Sequence, residues 1–129
     1  TQLELTAGSG SQDFTDDAIE RLENLNHLSE ELVARARSGS ASAHEFRVEA
    51  RMYRELLRQT MLSNRAQPVS DQLPQPLLLD MVRMSALLHS AAACKTGFVI
   101  TCPPDLILQL KSQQSRVAQG LKMIQMMRE

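Results

Sequence analysis

Residues 77–97 read LLLDMVRMSALLHSAAACKTG, and the fold follows from how this stretch must be covered. It is rich in helix formers, begins behind Pro76 and ends at Gly97. Proline suits the first helical position, where its missing N–H has no intrahelical partner to lose. Glycine suits the left-handed residue just past a helix end. A helix wet on one side carries a polar stripe opposite its apolar one. Here only Asp80, Arg83, Ser85, His89 and Ser90 break the apolar surface, so the stretch reads as the central staff of an α-helical bundle, covered by other helices. The same interruptions argue against a membrane span, which needs about 20 predominantly apolar residues.

Working outward, a second helix precedes this one. Ser42-Ala43-His44-Glu45 is a capping box, in which the Ser and Glu side chains satisfy two free backbone N–H groups. Phe46, Ala50, Tyr53, Leu57 and Thr60 then recur at alternating four and three residues, widened by Leu56 and Met61, and the helix ends near Ser63 or Asn64. Residues 65–75, with Pro68 and Pro74, form a polar loop long enough to cross a bundle end. A first helix is expected over Asp16 to Arg37, capped by Thr15, with Ile19, Leu22, Leu25, Leu28, Leu32 and Ala36 on one face and Glu20, Glu23, Glu30 and Glu31 on the other. Ser38-Gly39-Ser40 terminates it. Beyond the central stretch, Phe98-Val99-Ile100-Thr101-Cys102 is short, apolar and β-branched; with no second strand to pair with, it reads as an extended connector over the bundle end. Pro103-Pro104-Asp105 opens a fourth helix with a seam of Leu106, Leu110, Val117, Leu121 and Ile124. Gly120 inside that helix costs about 1 kcal/mol relative to Ala and fits a close approach by another helix.

These elements predict an all-α fold, an antiparallel up-and-down four-helix bundle with a flexible N-terminal tail. The bundle takes residues 13–129 and the tail residues 1–12; three helices with a mobile first one are the structural alternative. The tail reads TQLELTAGSGSQ, and its Gly-Ser-Gly-Ser has linker composition. As an engineered tether it makes TQLELTA a joined partner peptide anchored by Leu3 and Leu5. Thr1 is not an initiator Met, so the chain reads as processed or as part of something longer.

Composition narrows the function classes. A formal net charge of −1 gives no global field toward nucleic acid or an anionic membrane. Three Phe, one Tyr and no Trp leave few platforms on which bases could stack. Cys94 and Cys102 make no disulfide framework, which favours a reducing compartment inside the cell. His27, His44 and His89 fall on three different helices at no acid–base or metal-ligand spacing, and no phosphate loop or nucleophile elbow occurs. The reading is no enzyme, no metal and no cofactor.

Three surfaces remain as candidates. Met123, Met126 and Met127 make the last turns of the fourth helix apolar on several sides, and methionine adapts to differing partners. The ordinary alternative is that they complete the core beneath the Phe98-Val99-Ile100 connector. Arg47, Arg51, Arg54 and Arg58 line one face of the second helix at spacings that suit an acidic partner or phosphate, with Arg51 and Arg54 central. The ordinary alternative there is a solvated face partly neutralised by Glu49, Glu55 or the acidic side of the first helix.

The expected function is a non-catalytic protein-interaction domain of a larger intracellular protein, a nuclear or cytoplasmic scaffold or transcription regulator. It binds a short apolar peptide or amphipathic helix in a groove between helices, with Phe98, Val99, Ile100, Met123, Met126, Met127, Arg51 and Arg54 as partner-binding residues. The central helix, through residues such as Met81, Met84 and Leu88, floors that groove. The alternative is an assembly subunit, homo- or hetero-oligomeric, that uses the Met-rich last helix. A phosphate or acidic-lipid binder using the arginine stripe is a third class. No nucleic acid and no membrane span are expected.

Overall fold

The computed structural model describes residues 16–128; the tail with Leu3 and Leu5, and the expected cap at Thr15, lie outside the described residues. Four helices make up the domain: α1 (Asp16–Ser38), α2 (Ala43–Arg65), α3 (Gln75–Ala92) and α4 (Pro104–Arg128). Each helix packs on the next and α4 closes back on α1, which touches α3 across the diagonal. Neighbours run antiparallel: Gln125 Nε2 near the end of α4 donates to Glu23 Oε2 near the start of α1 at 2.9 Å, and Gln114 Nε2 donates to Asn26 Oδ1 at 3.2 Å. The fold is the all-α four-helix architecture that the periodicity predicts. No described helix is long and apolar enough to cross a membrane.

Local chemistry sets the helix ends. Asp16 and Asp17 in the first turn of α1, and Arg35 and Arg37 in its last, complement the helix dipole. Gly39 then takes φ +71°, a left-handed conformation that L side chains rarely adopt. Ser42 Oγ accepts the Glu45 N–H at 3.3 Å, forming the Ser half of the capping box on α2. After α2 the chain makes a single 3₁₀ turn, Val69–Asp71. Asn64 Oδ1 accepts the Leu73 N–H at 2.7 Å, which pins buried Leu73 under the loop.

The seams are buried as their spacing requires, except that Leu28 and Leu106 are only half-buried at the edge of the core. Leu22, Leu25 and Leu32 of α1 meet Phe46, Tyr53 and Leu57 of α2, Met81, Met84 and Leu88 of α3, and Leu110, Val117 and Ile124 of α4 in one core. Ser29, which interrupts the α1 seam, is buried and donates its Oγ to Asn26 O at 2.8 Å. Thr60 is accommodated the same way, on Leu56 O at 2.8 Å. Burying each Leu or Met contributes about 1.5–3 kcal/mol.

Three expectations are corrected. First, α3 stops at Ala92 rather than running to Gly97. The Ala93 N–H splits between His89 O and Ser90 O, and the chain then turns back on itself. Second, the apolar run after it is a strand of a small hairpin, in which β1 (Lys95–Thr96) pairs antiparallel with β2 (Val99–Ile100). Gly97 and Phe98 form the two-residue turn, and Gly97 has φ +66°. The missing partner strand was the segment read as the helix end. β2 also bonds residues 41–43: Ala43 N–H donates to Phe98 O at 2.8 Å and Ile100 N–H to Ala41 O at 2.9 Å. Third, Ile100 has no exposed surface; it plugs the bundle end as core and cannot receive a partner. Cys94 and Cys102 flank the hairpin as free, half-buried thiols, and burial together with contact with Cys94 pushes the Cys102 thiol up to about 12.

Tyr53 is wholly buried, and its hydroxyl has no hydrogen-bond partner among the described residues. Burial raises its pKa well above the ordinary 10.0. A raised folded-state value means that its stabilising contribution is complete below about pH 10 and declines as pH rises further, when only the unfolded chain releases the proton. Tyr53→Phe is therefore expected to be neutral or to stabilise the domain at pH 7 by up to about 1 kcal/mol. Its advantage over the wild type should widen above about pH 10 in urea unfolding. A mutant clearly less stable at pH 7 would show that the hydroxyl is bonded after all.

Candidate functional site

The groove between α3 and α4 is built on one absent side chain. A Cβ at Gly120 would lie 2.8 Å from Leu77 Cδ1, so the leucine at the start of α3 packs directly onto the α4 backbone. The close approach expected at this glycine is made by a side chain rather than by a helix backbone. It leaves a hollow of about 390 Å³ between Pro76, Leu77, Gly120, Ile124, Met123 and Met127. Met123 and Met127 are 64% and 41% exposed, so they wall this hollow and are not core. Met126, at 66%, points outward beside it. The Mets therefore do not complete the core beneath the hairpin, which lies at the other end of α4.

Toward the hairpin the same groove holds a second hollow of about 510 Å³, between Ala86, Leu87, Leu108 and Ser112. Leu108 is 63% exposed. A polar bar separates the two hollows. Gln113 Nε2 donates to the Asp80 backbone O at 2.8 Å, and Arg116 Nε lies 3.9 Å from Asp80 Oδ1. Met81, Met84 and Leu88 are fully buried and floor neither hollow; Leu77 and Leu87 take that place. Nor do the neighbours cover α3 on every side, since Leu79 and Val82 stay exposed on its outer surface.

A different surface forms between α2 and α3. Arg47, Arg51 and Arg54 rim a hollow of about 360 Å³ floored by Ala50, Ala92 and Ala93, with His89 on the far wall. His89 Nδ1 lies 3.2 Å from Ser85 O, and Nε2 lies 3.1 Å from Arg54 Nη1. A carbonyl only accepts and a guanidinium only donates, so Nδ1 carries the proton and Nε2 accepts from Arg54. The fourth arginine of the stripe is not part of this hollow: Arg58 Nε donates to Glu55 Oε1 at 3.1 Å.

Among the other described residues, the α1/α4 groove is wide but polar, and its Glu23 is already bonded to Gln125. No group of three His, Cys, Asp or Glu side chains among the described residues is placed to hold a metal ion.

No known protein family, curated protein or solved structure matches the chain.

The structure thus splits the expected partner-binding residues into separate places. Met123 and Met127 share the α3/α4 groove, and Arg51 and Arg54 share the α2/α3 hollow. Phe98, 88% exposed at the hairpin turn, sits at the opposite end from the methionines, and Val99 is half-buried beside it. The second apolar hollow and the His89–Arg54 contact are additions. Gly120 is the sequence signal for the first hollow of the α3/α4 groove; nothing in the sequence pairs His89 with Arg54, thirty-five positions away.

Gly120→Ala gains about 1 kcal/mol of helix propensity but displaces the Leu77 methyl. Because the clashing atom ends a flexible side chain, unfolding free energy should stay within about 1 kcal/mol of wild type. Gly120→Leu should lose about 1–3 kcal/mol, because its side chain must displace Leu77. Equal stability of all three proteins in urea would mean that Leu77 does not rest on Gly120.

Proposed function

We propose that the domain is a non-catalytic interaction module that receives an amphipathic helix or short apolar segment of another protein in the α3/α4 groove. The observation that carries this is the apolar hollow that Leu77 leaves over Gly120, walled by exposed Met123 and Met127. Methionine's unbranched, polarizable chain repacks around different shapes, which suits the walls of a receiving groove. The second hollow supports a helical occupant. Leu77 and Leu87 are ten residues apart on α3, which sets the hollows about 15 Å apart. Apolar anchors on one face of a docked helix, about three turns apart, fit that spacing. The polar bar at Asp80, Gln113 and Arg116 lies between them and fixes register.

The two free thiols fit a reducing compartment, and on that ground we propose an intracellular setting; a nuclear or cytoplasmic scaffold or transcription regulator is the class of protein proposed to carry the module. A second reading rests on Met126, which is exposed beside the groove and lines neither hollow: α4 as an assembly surface between copies or with another chain. Sedimentation separates the two, since a monomer at every concentration removes self-assembly.

The groove itself is tested by selecting helical peptides from a displayed library against the wild-type protein. Selected binders should carry paired apolar anchors and bind Met123→Glu at least about tenfold more weakly, a loss of about 1.4 kcal/mol. Gly120→Leu should block them. Failure to select any peptide, or equal binding by Met123→Glu, sinks the proposal.

A further inference from the structure

We propose that the α2/α3 hollow is an anion site that takes a phosphate monoester on a partner peptide, a phosphoserine or phosphothreonine side chain. It is separate from the α3/α4 groove and does not depend on it. The first support is charge that the fold leaves uncompensated. On α2 the nearby acids are engaged elsewhere: Glu49 pairs with Arg35 of α1, and Glu55 pairs with Arg58 and accepts from Gln59. Those contacts raise the Arg35 pKa and lower that of Glu55, as expected of committed pairs. Among the described residues Arg47, Arg51 and Arg54 form no ion pair, and no carboxylate lines their hollow. Among the described residues the neutralised face that the sequence suggested is an ion pair only at Arg58, and Glu55 acts on Arg54 through space alone. Like charges three and four residues apart on a helix repel, and a bound anion removes that repulsion.

The second support is shape. Ala50, Ala92 and Ala93 give the hollow a floor with no side chain rising to fill it, so a ligand can descend among the guanidinium groups. The third is orientation. His89, fixed by its Nδ1–H bond to Ser85 O, holds Arg54 through Nε2, so one of the three guanidinium groups is set in place before any ligand arrives. His89 is a positioning residue here.

Three forks offer more N–H donors than the two oxygens of one carboxylate can use. A phosphate monoester brings three acceptor oxygens and about −1.5 to −2 charge. A peptide is favoured over an anionic bilayer for two reasons. The hollow is concave between two helices, and the outer face of α2 beside it mixes Val48 and Met52, 42% and 50% exposed, with Glu55. The chain as a whole carries −1, so no long-range field draws it to a charged membrane.

The test uses the whole chain, labelled with ¹⁵N, and follows backbone amides and arginine Nε–H signals by NMR. The probes are inorganic phosphate, a Gly/Ala peptide with one central phosphoserine, the same peptide with serine or aspartate, and phosphatidylcholine vesicles with and without phosphatidylinositol bisphosphate. The phosphopeptide should give saturable shifts at Arg47, Arg51, Arg54 and His89, with roughly tenfold weaker binding of the aspartate peptide and none of the serine peptide. Inorganic phosphate should shift the same signals at higher concentration. Arg51→Gln and Arg54→Gln should each weaken the phosphopeptide about tenfold, while Arg58→Gln, whose arginine is paired with Glu55, leaves it unchanged. His89→Leu should weaken binding by about threefold and alter the Arg54 Nε–H signal of the free protein while leaving that of Arg47 in place. Circular dichroism identical to wild type keeps these losses separate from unfolding. Shifts equal for serine and phosphoserine peptides, no shifts at the hollow, an Arg58→Gln loss equal to that of Arg51→Gln, or binding only to the phosphoinositide vesicles would each overturn the proposal.

Discussion

Burial of the inner face of α3 is the constraint on which the rest depends. Met81, Met84 and Leu88 have no exposed surface, and they lose it only because α2 and α4 stand on either side with α1 across the diagonal. At about 1.5–3 kcal/mol for each such side chain, these three residues alone contribute stabilisation comparable to the net stability of a small domain. No pair of helices supplies that cover; it takes the four-membered ring. The loops then have only to be short. Leu73 held by Asn64 closes one end, and the hairpin with Ile100 driven into the core closes the other.

The same constraint decides where the surface is free to vary. A helix in a four-membered ring keeps one outward stripe, and in α3 that stripe retains Leu79 and Val82. Between helices, the width of each groove follows from the side chains at its lips. Gly120 lets Leu77 settle onto α4 and opens an apolar hollow. Ala50, Ala92 and Ala93 open a hollow of similar size between α2 and α3, but its lips are arginines. Small residues at helix contacts thus generate two recesses of opposite chemistry on adjacent flanks of one bundle. The proposed apolar and anionic ligands would therefore not compete for the same atoms.

Much of the interior was legible beforehand because it follows from period alone. The seam of Phe46, Ala50, Tyr53, Leu57 and Thr60 is buried to the last residue, since side chains at alternating three and four positions must share a face. Misreadings cluster where a local signal had two meanings. Gly97 terminates helices and also permits tight hairpin turns, and the choice depended on Lys95 and Thr96 finding Val99 and Ile100. Ile100 looked available because a short apolar run after a helix has no period to betray its burial.

The sequence by itself determined four amphipathic helices, their ends to within a few residues, and the faces that meet, because capping chemistry and helical periodicity act within a few positions of the chain. It also marked Gly120 and the arginine stripe as unusual. Only the tertiary structure decided which acids neutralise which arginines, since Glu49 reaches across to Arg35 while His89, from another helix, takes Arg54. Only it divided the α3/α4 groove with Asp80 and Gln113. Those relations depend on how far each helix is rotated and slid against its neighbour, which is fixed by the packing of many side chains at once and is written at no single position.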